Sequence, residues 1–143
     1  QATIRANFIV GFPSETEAEF DELRQFLQTH NLDRVGIFPY SPEANTPAAE
    51  LPDQLPEDVK KARYDELWNL QQGLSRQRLE SRVGKTVSVM VTHSNGYGRS
   101  EFEAPEIDGF IKIKSKKKLT PGDWLKVEIT KAAVHDLEGK IVS

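Results

Sequence analysis

The sequence predicts an α/β segment followed by an all-β barrel, and three observations carry that prediction. The stretch Phe8-Ile-Val-Gly-Phe-Pro-Ser-Glu-Thr-Glu-Ala-Glu-Phe20 reads as strand, tight loop and helix start. Near Val83 the apolar periodicity changes from helical to alternating. The charge changes sign at the same place. Residues 1–80 carry 8 Lys and Arg against 14 Asp and Glu, net −6, whereas residues 81–143 carry 11 against 8, net +3. Two modules follow, residues 1–80 and 81–143.

Phe8-Ile9-Val10 is a short apolar run of the kind that fills a strand buried on both faces. Gly11-Phe12-Pro13 breaks it, since Gly lifts the steric limits on the backbone and Pro removes a donor. Thr16 with Glu19 has capping-box spacing, and Ser14 with Glu17 fits the same template. Glu15, Glu17 and Glu19 crowd a helix N-terminus, where the macrodipole favours negative charge. Phe20, Leu23, Phe26 and Leu27 give the helix its apolar face, and His30 suits its C-terminal end. Arg34 to Tyr40 reads as a second strand, parallel to the first through a right-handed crossover. Four prolines between Ser41 and Pro56 predict an extended ordered loop. A long helix follows over about 57–80, with Val59, Leu67, Leu70 and Leu74 as its stripe and Tyr64 and Trp68 widening it. Its end, Arg76 to Arg82, reads as a polar bridge between the modules.

In the second module Val87, Val89 and Val91 alternate with polar residues. Asn95-Gly96 signals a hairpin returning along Tyr97 to Phe102. A loop, Ala104 to Gly109, precedes a third strand, Phe110 to Lys114, and Lys114 to Lys118 makes a basic turn. Pro121-Gly122-Asp123 makes another turn before Leu125, Val127 and Ile129, which alternate inward on strand four. Leu137 to Val142 supplies a fifth strand. Five short antiparallel strands in so few residues predict a Greek-key barrel of the OB kind.

At 143 residues, 37% hydrophobic and 29% charged, the composition is that of a soluble globular protein. No apolar run approaches the ~20 residues of a membrane helix, and there is no signal peptide. The sequence has no cysteine, which excludes disulfides, thiol catalysis and a thiolate-bound iron–sulfur cluster within it. By default the expected compartment is the cytoplasm. The chain opens directly into its strand, and one βα unit cannot cover both faces of a parallel strand. A fragment of a larger protein is expected.

His30, His93 and His135 lie far apart and lack metal-ligand spacing. No catalytic triad or phosphate loop is present. Lys114, Lys116, Lys117 and Lys118 read as a solvated tip, and Trp68 and Trp124 as packing residues. A βα loop at the C-terminal end of a parallel strand is nevertheless where such folds hold ligands.

Five segments carry a resemblance: IRANFIVGFPSETEAEF, DRVGIFPYSPEANTPAA, LPDQLPEDVKKARYDELWNLQQ, YGRSEFEAPEIDG and LTPGDWLKVEI. In this order they resemble the radical-SAM methylthiotransferases over essentially the whole chain. The resemblance implies that residues 1–80 are the last two βα units of a radical-SAM (partial TIM-like) barrel with its exit helix. It makes residues 81–143 a five-stranded, OB-like TRAM domain. GRS followed by APEIDG is more similar to the branch that modifies an aspartate of small-subunit ribosomal protein twelve than to the transfer-RNA-modifying branch. The parent is then expected to use two 4Fe-4S clusters and S-adenosylmethionine, cleaved to a 5′-deoxyadenosyl radical, and to install a methylthio group on the aspartate β-carbon. The cysteines of that chemistry are absent from this chain, which alone is expected to bind no cofactor and to be inactive. Ser14 stands where the family usually has a second Gly. By resemblance, Gly11, Phe12, Phe38, Pro39 and Tyr40 flank the adenosyl group.

Two readings stand at this point. In one, the chain is an enzyme fragment whose barrel docks a basic ribosomal protein through Arg99, Glu101, Glu103, Glu106 and Asp108, with four carboxylates within eight residues. In the other, it is an RNA-binding module, favoured by the lysine turn, and a fragment of a transfer-RNA methylthiotransferase falls between the two.

Overall fold

The computed structural model describes residues 3–30 and 32–142, which divide into two compact units, one ending at Leu74 and the other beginning at Ser75. In the first unit β1 (Arg5–Val10) pairs in parallel with β2 (Arg34–Pro39), joined by α1 (Glu17–His30). The strand begins earlier than the apolar run, because Arg5 to Asn7 pair in register with Arg34 to Gly36. Thr16, not Ser14, is the cap: its Oγ accepts from the Glu19 N–H at 3.2 Å and the Glu19 carboxylate accepts from the Thr16 N–H at 2.8 Å. That hydrogen bond from the Thr16 backbone, with a second from its hydroxyl, holds the Glu19 carboxyl below the usual range. Ser14 instead sits in the left-handed region with φ 68°, its N–H bonded to the Asp53 carbonyl. That backbone is the one a glycine adopts without strain.

Val10, Phe20, Leu27, Ile37 and Leu67 form the core between the sheet and the helices. The strands are covered on one face only. Ile9 is 57% exposed and its register partner Phe38 53%, so the expected burial of both faces does not hold within this unit. The proline-rich loop contains a short helix, α2 (Pro47–Glu50), where an extended path was expected. Pro47 is pre-set for a first helical turn and Thr46 caps it. The long helix α3 (Glu57–Glu80) is as expected, with Trp68 half-buried and stacked on Tyr64.

The second unit is a closed barrel. Strands β3 (Thr86–His93), β4 (Tyr97–Arg99), β5 (Ile111–Lys114), β6 (Trp124–Ala132) and β7 (Leu137–Ile141) close in the order β3-β4-β5-β7-β6. The expected all-antiparallel pattern is corrected at one place: β5 and β7 are parallel. Direction cannot alternate all the way round a ring of five, so one pair must run the same way. β4 stops at Arg99, short of Phe102, because Ser100 diverts the chain into a side-chain-bonded turn. Val89, Val91, Ile111, Ile113, Val127, Ile129 and Leu137 fill the interior. Leu79 joins them and Ser75 Oγ donates to the Val134 carbonyl, so the end of α3 contributes to the barrel's core. Trp124, expected to pack, is 66% exposed at the start of β6.

Candidate functional site

The five residues expected beside an adenosyl group meet at one end of the parallel sheet. Val10 pairs with Pro39, and the Tyr40 N–H donates to the Val10 carbonyl at 2.8 Å, carrying the ladder one residue past β2. Gly11 leaves the strand with φ 72°. Phe12 then turns its ring edge-on to Tyr40, with centroids 5.2 Å apart. Phe12 is 41% exposed while Tyr40 is buried, so the pair offers one aromatic face to solvent and roots the other. Phe38 adds a second exposed ring. Among the described residues the buried Tyr40 Oη has no hydrogen-bond partner.

The loop's shape is set from α3. Glu15 was expected to serve the helix dipole, yet its carboxylate accepts from the Gly11 N–H at 3.0 and 3.1 Å. Arg63 Nη1 donates to the same carboxylate at 2.5 Å and Nη2 to Glu17 at 3.0 Å. Lys60 lies against Gly11, where a Cβ would come 2.6 Å from its Cγ. Neither cation was singled out from the sequence. The signal was there: positions 60, 63, 67, 70 and 74 keep helical spacing, so two charges occupy slots of the apolar stripe.

In the barrel the expected binding residues separate into two sets. Glu101 and Glu106 are exposed, Glu106 with φ 63°, and Arg99 is half-buried on β4. Glu103 turns inward with a side chain 2% exposed, paired to Arg82 Nη1 at 2.6 Å. It also accepts from the Ser100 N–H at 2.9 Å and hydroxyl at 2.6 Å. Burial pushes the Glu103 carboxyl up, but the Ser100 hydroxyl and the Arg82 guanidinium outweigh it and hold the group below the usual range. Asp108 caps the loop by accepting from the Ala104 N–H at 2.8 Å. The four carboxylates are therefore not one solvent-facing row: Glu103 and Asp108 shape the loop that presents Glu101 and Glu106.

Lys116, Lys117 and Lys118 are exposed at their turn, while Lys114 pairs with Glu138 at 2.9 Å. Trp124 pairs across to Met90, and Met90 to Arg99, placing an aromatic, a thioether and a cation in one row across three strands. Among the described residues no helix is long and apolar enough to cross a membrane.

Residues 83–142 match the family described as TRAM domain. Over 144 residues the chain is 45% identical to "Ribosomal protein uS12 methylthiotransferase RimO" of Desulforudis audaxviator, covering 99% of this chain and 32% of that protein. The protein of the same name from Thermosynechococcus vestitus is 45% identical over 146 residues, again 99% of this chain and 32% of the relative. That from Cronobacter sakazakii is 44% identical over 145 residues, 99% of this chain and 33% of the relative. The chain thus spans about a third of the length of the curated relatives it matches.

Proposed function

We propose that this chain, similar to the uS12 methylthiotransferases along 99% of its length, is the part of such an enzyme that rims the cofactor side of a barrel and docks the protein substrate. The observation that carries the reading is that the match at 45% identity covers 99% of this chain and so reaches beyond the TRAM domain at residues 83–142. In this reading the first unit is the last two βα units of a radical-SAM barrel. S-adenosylmethionine, when bound, supplies the hydrogen-abstracting chemistry. The residues here fit its adenosyl end, since Phe12 and Phe38 expose rings on which a purine stacks and Tyr40, against the Phe12 ring, carries an unspent hydroxyl. They do not fit an iron–sulfur cluster, because no cysteine is present, so both 4Fe-4S clusters belong to residues outside these 143.

The substrate in this reading is an aspartate of ribosomal protein uS12 in the cytoplasm, whose β-carbon receives the methylthio group. A ribosomal protein is basic, and the exposed Glu101 and Glu106 beside Arg99 give the barrel a complementary loop. A second reading, RNA binding by the barrel, draws support from Trp124. An exposed indole in a row with Met90 and Arg99, with three lysines on the neighbouring turn, suits base stacking and phosphate contact.

Charge reversal at Glu101→Lys with Glu106→Lys is expected to weaken uS12 binding through a slower on-rate, an effect that fades as salt rises. Trp124→Ala with Lys116, Lys117 and Lys118→Glu is expected to leave uS12 binding intact. Titrating both variants with uS12 and with single-stranded RNA at two salt concentrations decides the matter. Loss of RNA binding in the second variant, with uS12 binding unchanged in the first, would overturn protein docking. The log-affinity against log-salt slope for RNA would then flatten by roughly 0.7 per lost phosphate contact.

A further inference from the structure

Lys60 is 2% exposed and Arg63 7%, although such side chains are almost never fully buried unless paired. Both lie in the first two turns of α3, and both are spent on the loop that follows β1. Arg63 Nη1 binds the Glu15 carboxylate and, at 3.0 Å, the Glu15 carbonyl, and its guanidinium stands 5.2 Å from the Phe20 ring centroid. Glu15 passes the constraint on by accepting the Gly11 N–H with both oxygens. The Lys60 stem occupies the space beside Gly11, its ammonium 5.2 Å from the Tyr40 ring centroid and 2.8 Å from Glu57.

A buried ion pair adds little net stability over well-packed apolar side chains. What an arginine–carboxylate pair supplies is direction, because its donors are fixed in a planar fork. Gly11 needs direction: a glycine at φ 72° has no side chain to choose its conformation, and the neighbouring ring of Phe12 swings with it. We propose that Arg63 is a positioning residue for the adenosyl-facing loop, fixing the Gly11–Phe12 backbone through Glu15 where Lys60 packs beside it, and so holding Phe12 against Tyr40. The proposal rests on the reading that this loop faces S-adenosylmethionine.

Arg63→Lys keeps the charge and loses the fork, whereas Glu15→Gln keeps an acceptor for Gly11 and loses the charge. Amide hydrogen exchange at Gly11 in the full-length parent enzyme reads the clamp directly. Calorimetric titration of the cluster-loaded parent enzyme with S-adenosylmethionine reads its consequence. Arg63→Lys is expected to speed Gly11 exchange and to weaken S-adenosylmethionine binding about tenfold, the size of one lost charge-assisted bond, with the melting temperature nearly unchanged. Glu15→Gln is expected to show a smaller loss on both. Faster exchange with unchanged affinity would overturn the positioning role and leave a structural clamp. Unchanged exchange would overturn the clamp itself, as would a lowered melting temperature in both variants that accounts for all the loss. An unsubstituted parent that binds no S-adenosylmethionine would instead sink the cofactor reading.

Discussion

Glu103, buried, and Arg82, half-buried, form a pair whose partners lie 21 residues apart, and the Ser100 hydroxyl also donates to the carboxylate. Removing the cation alone leaves a charge in a poor solvent, so Arg82→Met is expected to destabilise the barrel by about 3 kcal/mol near neutral pH. The sign of the pH dependence follows from the direction of the Glu103 shift. Its folded-state pKa is depressed, so its contribution is present above the unfolded value and is lost as pH falls through the folded one. Denaturant melts in the acid range should therefore show the gap between wild type and Arg82→Met closing as pH falls. A gap that widens in acid would refute the assignment. None of this was legible from residues 101–108, where four carboxylates read as one surface row. Ser100, three residues before Glu103, is a local mark of the turn that draws this carboxylate in, but the cation that pairs it, Arg82, lies outside the loop. The capping box at Thr16 and Glu19 was legible because both partners sit three residues apart.

At the scale of elements, alternation of valines predicted the inner face of β3, and burial of Val89 and Val91 follows it. The parallel pairing of β5 with β7 was not legible, since no strand carries a mark of its non-sequential neighbour. Closure of so small a ring depends on close backbone approach. A Cβ at Gly98 would stand 2.6 Å from the Met90 carbonyl oxygen and 2.7 Å from Val89 Cγ1, both inside contact distance. Gly98→Ala is accordingly expected to cost the barrel about 1–3 kcal/mol through overpacking, read as a lower denaturant midpoint. An unchanged midpoint would show that the β3–β4 seam relaxes freely. In the first unit the exposed Ile9 and Phe38 mark a sheet face that the apolar run alone could not reveal as open.

Taken whole, the molecule pairs a sheet with open edges and a barrel that has none. A peptide of residues 75–143 is expected to give a dispersed amide spectrum on its own, because its strands satisfy one another. Residues 1–74 alone are not, since two strands with one bare face bury too little apolar surface. A folded spectrum from the first unit would contradict that expectation. Periodicity and charge placed a boundary at residue 80, whereas the two compact units part after Leu74. Helix α3 runs on past Leu74, and its far end gives Leu79 to the barrel. That Lys60 and Arg63 shape the loop after β1 was not legible, for they sit on a helix nearly 50 residues away. In the proposed function, the protein carrying this chain methylthiolates uS12. Mass spectrometry of uS12 peptides and of transfer RNA, from cells with and without its gene, tests it most directly. The account predicts that the methylthio increment on one uS12 aspartate disappears with the gene while transfer RNA is unchanged. Persistence of the uS12 mark, with loss of a methylthio group from transfer RNA, would contradict it.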